Sequence, residues 1–207
     1  MSLFGGKSKQ LVGLDIGSSS IKSVELKSTK AGYELVSFGM ESLAPDTVVD
    51  GAIMDAPQVA NAISKIFDAE RIKTKNVATS VSGHSVIVKR ISLPVMTAAE
   101  LAESIQWEAE QYIPFDIDDV NLDYQILDGS SLSGEGNMDV LLAAAKKDKI
   151  NDYTGVVTQA GLQPVAVDIA AFALQNAFEA NYEFEPHQVI ALVDVGAAVS
   201  SITVLHG

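Results

Sequence analysis

The same short pattern stands near both ends of this chain, and that repetition constrains the fold more than any other feature. Leu11-Val12-Gly13-Leu14 leads into Asp15-Ile16-Gly17-Ser18-Ser19-Ser20-Ile21-Lys22 and a second apolar run, Val24-Glu25-Leu26. Val189-Ile190-Ala191-Leu192-Val193 leads into Asp194-Val195-Gly196-Ala197-Ala198-Val199-Ser200-Ser201, then Ile202-Thr203-Val204-Leu205. Each reads as strand, tight turn, strand, because β-branched runs flank glycine and small residues. Such a turn leaves backbone N–H groups to face an anion, and glycine lets a phosphate come close. An aspartate ending the incoming strand can hold a metal ion through water, as magnesium prefers. Two such hairpins suggest a pair of related half-domains clamping a Mg-nucleotide.

The first candidate phosphate-binding residues are therefore Gly17, Ser18, Ser19, Ser20 and Lys22, with Ser200 and Ser201 as weaker ones in the second turn. Asp15 and Asp194 are the candidate magnesium residues. Lys22 lies on the outgoing strand, where its ammonium can act as a compact charge toward a phosphate. The competing reading for Lys22 is a solvated lysine beside an ordinary turn. For Ser200 and Ser201 it is a strand-edge serine pair, since Ala197, Ala198 and Val199 are bulkier than the glycines usual in phosphate loops.

Composition narrows the partners. With 27 acidic against 14 basic residues the formal net charge is −13, which opposes electrostatic binding to nucleic acid or to anionic lipid. There are no cysteines, so no disulfide framework is available. The first ten residues lack the apolar core of a signal peptide, and no apolar run approaches the roughly 20 residues that span a bilayer. A soluble, cytoplasmic protein is expected. The 47% hydrophobic content of 207 residues suffices for a substantial core. Gly207 follows a strand that opens a second half-domain, so the sequence reads as the front part of a longer protein.

Along the chain, strands are expected at 11–16, 21–27 and 33–39, with Lys30-Ala31-Gly32 as a turn. Asp55 suits an N-cap and Pro57 a first helical turn, before Val59, Ile63, Ile66 and Phe67 at helical spacing. Strands follow at 76–82 and 85–91, the second closed by Pro94. Thr97-Ala98-Ala99-Glu100 is a capping box, opening a helix with Leu101, Ile105, Ala109 and Tyr112 on one stripe, stopped by Pro114. Strands at 121–127 and 138–145, joined by a loop over 129–136, precede a helix over 147–160 that buries Ile150, Tyr153 and Val157 and ends at Gly161. A strand at 164–169 and a helix at 170–181, burying Phe172, Ala173, Ala177 and Phe178, complete the α/β pattern. The order implies an α/β half-domain interrupted by a small α+β insertion at 86–162.

Trp107, Tyr112, Pro114 and Phe115 form the densest aromatic patch. Core packing is the default for such a cluster, but Trp107 lies off the apolar stripe and could line a partner groove. His84, His187 and His206 show no metal-ligand spacing, and Asp116, Asp118, Asp119 and Asp123 lack the glycine and final glutamate of a calcium loop.

The paired Asp-x-Gly hairpins resemble the two phosphate motifs of the actin-like ATPase superfamily, which includes actin, sugar kinases and the cell-division protein FtsA. Ile105-Gln106-Trp107-Glu108-Ala109-Glu110-Gln111-Tyr112-Ile113-Pro114-Phe115 and Asn121-Leu122-Asp123-Tyr124-Gln125 more closely resemble the PilM family of type IV pilus assembly proteins. So do residues 11–22, 81–94 and 167–174. The resemblance implies an actin-like (ribonuclease-H-like) half-domain: subdomain 1A at 1–85 and 163–186, an FtsA-type subdomain 1C at 86–162, and the beginning of subdomain 2A at 187–207. It implies ATP or ADP with magnesium between the halves, the first phosphate loop at Asp15–Lys22 and the second at Asp194–Ser200. It implies a cytoplasmic scaffold linking the inner-membrane complex to the pilus motor. Its partner would be the N-terminal tail of PilN, bound in a groove with Trp107, Tyr112, Pro114 and Phe115 as candidate wall. Membrane contact would come only through partners, peripheral to the inner membrane, and a homo-oligomer stays open.

Related sequences often carry a glutamate after the segment matching Val167-Asp168-Ile169, whereas this chain has Ala170-Ala171. Without a base to orient water, hydrolysis is expected to be weak or absent. An FtsA-like filament protein and a small-molecule kinase of the same superfamily are the rival functions. No catalytic base for a kinase is visible, and the 105–115 segment favours the PilM family.

Overall fold

The computed structural model describes residues 10–30, 32–127, 136–183, 185 and 187–206. The N-terminal nine residues, Ala31 of the first turn, most of the 129–136 loop and Gly207 lie outside them. The chain divides into two compact units, one made of residues 1–82 and 152–207, the other of residues 83–151.

The larger unit is built on a five-stranded sheet ordered β10-β6-β1-β2-β3. Strands β1 (Val12–Ile16), β2 (Ser20–Thr29) and β3 (Gly32–Ser42) form an antiparallel meander. Strands β6 (Asn76–Val81) and β10 (Gln163–Ile169) run parallel to β1. The small hairpin β4 (Val48–Val49) and β5 (Ala52–Ile53) sits between β3 and the first helix. In β1 the residues alternate buried and exposed, with Val12, Leu14 and Ile16 inward, as a one-sided sheet requires. Thr79 donates its buried hydroxyl to Leu14 O at 2.9 Å, and Glu25, also buried, accepts from the Thr74 hydroxyl at 2.6 Å.

Helix α1 (Ala56–Ala69) starts where Asp55 accepts the Gln58 N–H and proline occupies the first turn. Its Val59, Ile63, Ile66 and Phe67 are buried, in keeping with their spacing. At about 1.5–3 kcal/mol per fully buried aliphatic or aromatic side chain, this face outweighs the cap in holding the helix.

The smaller unit is a three-stranded antiparallel sheet ordered β7-β9-β8, with β7 at Val86–Pro94, β8 at Val120–Ile126 and β9 at Asn137–Lys146. Helix α2 (Ala98–Glu110) carries the expected capping box: the Thr97 hydroxyl accepts from Glu100 N–H and the Glu100 carboxylate accepts from Thr97 N–H. Leu101, Ile105 and Ala109 join Ile91, Leu93, Val140 and Leu142 in a core belonging to this unit. The helix ends at Glu110, four residues before Pro114, so the proline follows the stop instead of making it.

Helix α3 (Lys147–Gln159) follows β9 without an intervening loop. The division between units falls inside it, at Asn151 and Asp152, earlier than the 162 read from sequence. Tyr153, Val156 and Val157 are buried, and the Tyr153 hydroxyl donates to Gly51 O of the larger unit; Ile150 is half-buried. The second helix of the larger unit's C-terminal part, α4 (Ala170–Glu179), departs from expectation. Phe172 and Phe178 are only half-buried, Ala173 and Ala177 are exposed, and no residue of α4 is buried. Helical spacing marks which face is apolar, but burial needs a covering element, and among the described residues none closes over α4. The final hairpin, β11 (Val189–Val195) with β12 (Ser200–His206), is likewise open, leaving Val193, Val195, Ile202 and Val204 exposed.

Candidate functional site

The two aspartate turns close alike. Gly17 N–H donates to Ser20 O, and Gly196 N–H donates to Val199 O, each at 3.1 Å. The strand registers match too: Asp15 stands opposite Lys22 and Ile16 opposite Ile21, while Asp194 stands opposite Ser201 and Val195 opposite Ser200. A Cβ at Gly17 would lie 3.0 Å from Ser20 O, and one at Gly196 only 2.6 Å from Val199 O. The carbonyl that closes the second turn thus demands glycine before any ligand does, while at the first a Cβ would make a tight contact that the carbonyl must relieve by a few tenths of an ångström.

Directly opposed residues share a face of the ribbon. Lys22 accordingly reaches Asp15, Nζ to Oδ2 at 2.9 Å, with both side chains substantially exposed. In the second turn the residue sharing the face of Asp194 is Ser201. Ser200 lies on the other face with Val195. The register, which sequence alone did not supply, separates these two serines. Ala197 and the exposed Ala198 and Val199 bring no hydroxyl to the second turn.

Around the first turn the sheet adds residues that the sequence reading did not single out. Strands β1, β6 and β10 are parallel and finish together at Ile16, Val81 and Ile169. Asp168 stands opposite Ser80, and Leu14 opposite Thr79, so one step further places Ser80 beside Asp15. Asp168, Ser80, Asp15 and Lys22 therefore share one face at the carboxyl ends of the strands, where open α/β sheets receive ligands. Asp168 Oδ1 also accepts from Ile169 N–H at 2.7 Å. Alternation on β10 was the signal that could have found it. Helix α4 begins directly after this edge at Ala170 and has no acidic residue in its first turn.

Tyr153, read from the sequence only as a buried residue of α3, is a second addition through its bond to Gly51 O. Its side chain is 5% exposed. Burial first, then the nearby Asp15 and Asp152 carboxylates, push its phenol up to about 12.

The arrangement fits a hydrated magnesium ion better than a directly ligated one. Among the described residues no three carboxylate or imidazole side chains converge as a metal cage. Asp15 is solvent-facing and already shares its charge with an ammonium. It could hold magnesium through the ion's own water shell, as magnesium prefers.

The four aromatic-patch residues do not act as a set. Trp107 is 73% exposed, on the side of α2 away from Leu101, Ile105 and Ala109. Tyr112 and Phe115 pack half-buried against the core of the smaller unit, with Lys89 Nζ 5.1 Å from the Tyr112 ring centre and Lys146 Nζ 4.6 Å from that of Phe115. Pro114 is exposed. No helix among the described residues is long and apolar enough to cross a membrane.

Comparison with known proteins gives the chain's family and fold. The family model of type IV pilus assembly protein PilM matches residues 13–207. The chain is similar to a solved PilM–PilN type IV pilus biogenesis complex, with 32% identity and a TM-score of 0.83 over 95% of this chain, and it spans 58% of the matched chain. It also resembles the cytoplasmic domain of EpsL, an inner-membrane component of the type II secretion system of Vibrio cholerae, at 12% identity and a TM-score of 0.56, covering 95% of this chain and 71% of that one. A Bacteroides thetaiotaomicron protein with an actin-like ATPase fold matches more distantly, at 8% identity and a TM-score of 0.47, over 100% of this chain and 69% of its own. The mixed α/β fold expected from the resemblance is the fold the chain has. The chain belongs to the PilM family of type IV pilus assembly proteins.

Proposed function

We propose that this chain contributes the first phosphate-binding half of an ATP-binding scaffold in type IV pilus assembly, one that captures the N-terminal tail of PilN and links the inner-membrane complex to the pilus motor. The observation that carries the reading is the similarity to the PilM–PilN complex at 32% identity and a TM-score of 0.83. Under it, the Asp15 turn receives the phosphates of ATP or ADP. Lys22 would then be the residue that holds a phosphate oxygen, and Asp15 the one that would hold magnesium through its water shell, the ion's charge offsetting that of the polyphosphate. The Asp194 turn, with Gly196, Ala197, Ser200 and Ser201, forms the weaker second clamp. With alanine at the start of α4, where related sequences carry a glutamate, turnover stays well below roughly 1 s⁻¹, the lower end of ordinary enzyme rates.

A short flexible tail that orders on binding gives affinities near the micromolar range. The test is fluorescence anisotropy of a labelled PilN N-terminal peptide against full-length protein, with and without MgATP. Saturable micromolar binding, weakening with added salt if the tail is basic, supports the reading. No binding at several hundred micromolar overturns it. Trp107→Ala, at a position 73% exposed, should stay folded; parental peptide affinity in that variant would remove Trp107 from the groove.

A further inference from the structure

Residues 43–55 join β3 to α1 and are tied at both ends and in the middle. At the start, Leu43 N–H donates to Ser19 O at 2.9 Å, inside the first aspartate turn. At the end, Thr47 O accepts from Met54 and Asp55 N–H at 2.9 and 3.3 Å, and Asp55 caps α1. In the middle, Tyr153 reaches across from α3 and donates its hydroxyl to Gly51 O at 3.0 Å. Gly51 and its neighbour Asp50 both adopt positive φ, 76° and 49°, so the tip of this hairpin is sharply bent where the phenol meets it. We propose that Tyr153 is a positioning residue of the phosphate site, holding the β4–β5 turn beside the Asp15 loop so that residues 43–55 form a wall along the nucleotide's phosphate chain.

The proposal rests on the reading that phosphates lie on the Asp15 turn. Two features favour it over a purely structural tyrosine. The phenol lies within electrostatic reach of Asp15, a candidate residue of that site. A neutral donor at that place adds no negative charge beside a polyphosphate. The Ser19–Leu43 bond also joins segment and turn directly, so displacing one displaces the other.

Calorimetry with MgATP on full-length parent, Tyr153→Phe and Asp15→Ala proteins separates the outcomes. Tyr153→Phe keeps the ring and loses one hydrogen bond, and should weaken MgATP binding about tenfold. Alongside it, tyrosine labelled at the ring Cζ gives one carbon signal per tyrosine in the parent, the Tyr153 signal being the one absent from Tyr153→Phe. That signal should shift on MgATP addition and saturate with the calorimetric curve, a response that a tyrosine remote from the ligand would not give. If Asp15→Ala loses binding while Tyr153→Phe binds like the parent and the signal stays still, the proposal is wrong and the phosphate site stands. If Asp15→Ala binds like the parent, the phosphate site itself fails and the proposal falls with it. Should Tyr153→Phe fold poorly, the parent's signal, assigned instead by comparison with Tyr153→His, decides the matter.

Discussion

Lys22 and Asp15 pair in the open, with side chains 43% and 60% exposed. An ion pair so well solvated adds little to folding, about 0–1 kcal/mol. Lys22→Gln should therefore leave the thermal midpoint almost unchanged. If the ammonium is kept available for a phosphate, the same variant should weaken MgATP binding about tenfold or more, as expected for a lost charge-assisted contact. Parallel melting and calorimetry would check this, and a variant that melts early but binds normally would assign Lys22 to structure instead. Asp15, Gly17 and Lys22 could be picked from the sequence because a turn of fixed length sets the hairpin register and so determines who faces whom. Tyr153 could not, since its partner Gly51 is 102 positions away and no local periodicity links them.

Elements were the most legible scale wherever a local signal reports a local event. The Asp55 and Thr97 caps, the buried stripes of α1 and α2 and the end of α3 at Gly161 are all of this kind. The end of α3 shows its strength: Gly161 N–H donates to Thr158 O, Leu162 N–H donates to Val157 O, and Gly161 has φ 78°. Gly161→Ala places a Cβ in the left-handed region at a cost of about 1 kcal/mol. Gly155, exposed inside the same helix with open space around its Cα, should behave oppositely, Gly155→Ala stabilising by about 0.5–1 kcal/mol. Denaturant unfolding of the two variants should move in opposite directions. The capping box of α2 adds a pH signature. Its hydrogen bonds from Thr97 hold the Glu100 carboxyl below its usual 4.5. A depressed carboxyl stabilises the folded state above the unfolded value and loses that contribution as pH falls through the folded one. The destabilisation caused by Glu100→Gln, read as a shift in melting midpoint, should thus be present at neutral pH and shrink below about pH 4.5. The burial of α4 was misjudged for the opposite reason, because amphipathic spacing cannot tell whether a partner element is there.

At the scale of the molecule, the two units have separate cores, and the smaller one is complete in itself: three strands, α2 and a buried cluster centred on Leu101, Val140 and Leu142. An isolated fragment of residues 83–151 should fold and unfold cooperatively. Leu101→Ala, at a fully buried position, should cost it about 2–5 kcal/mol. Circular dichroism of the fragment checks this, and a coil-like spectrum without a melting transition would show that its core depends on the rest of the chain.

The matched turns at the two ends bear on how such proteins diverge. Gly196 answers to the carbonyl that closes its own turn, and Gly17 sits tightly against its own, so folding weighs on both glycines apart from any ligand. The hydroxyls and the lysine answer to no such demand, and the second turn already reads Ala197-Ala198-Val199 where the first reads Ser18-Ser19-Ser20. A descendant that abandoned nucleotides altogether would still carry both glycines in a pedigree of its relatives. In mutational-tolerance maps of this lineage, intolerance at Gly17 and Gly196 is a record of inherited backbone shape. Under the proposed phosphate site, the record of the ligand belongs instead to Ser18, Ser19, Ser20 and Lys22.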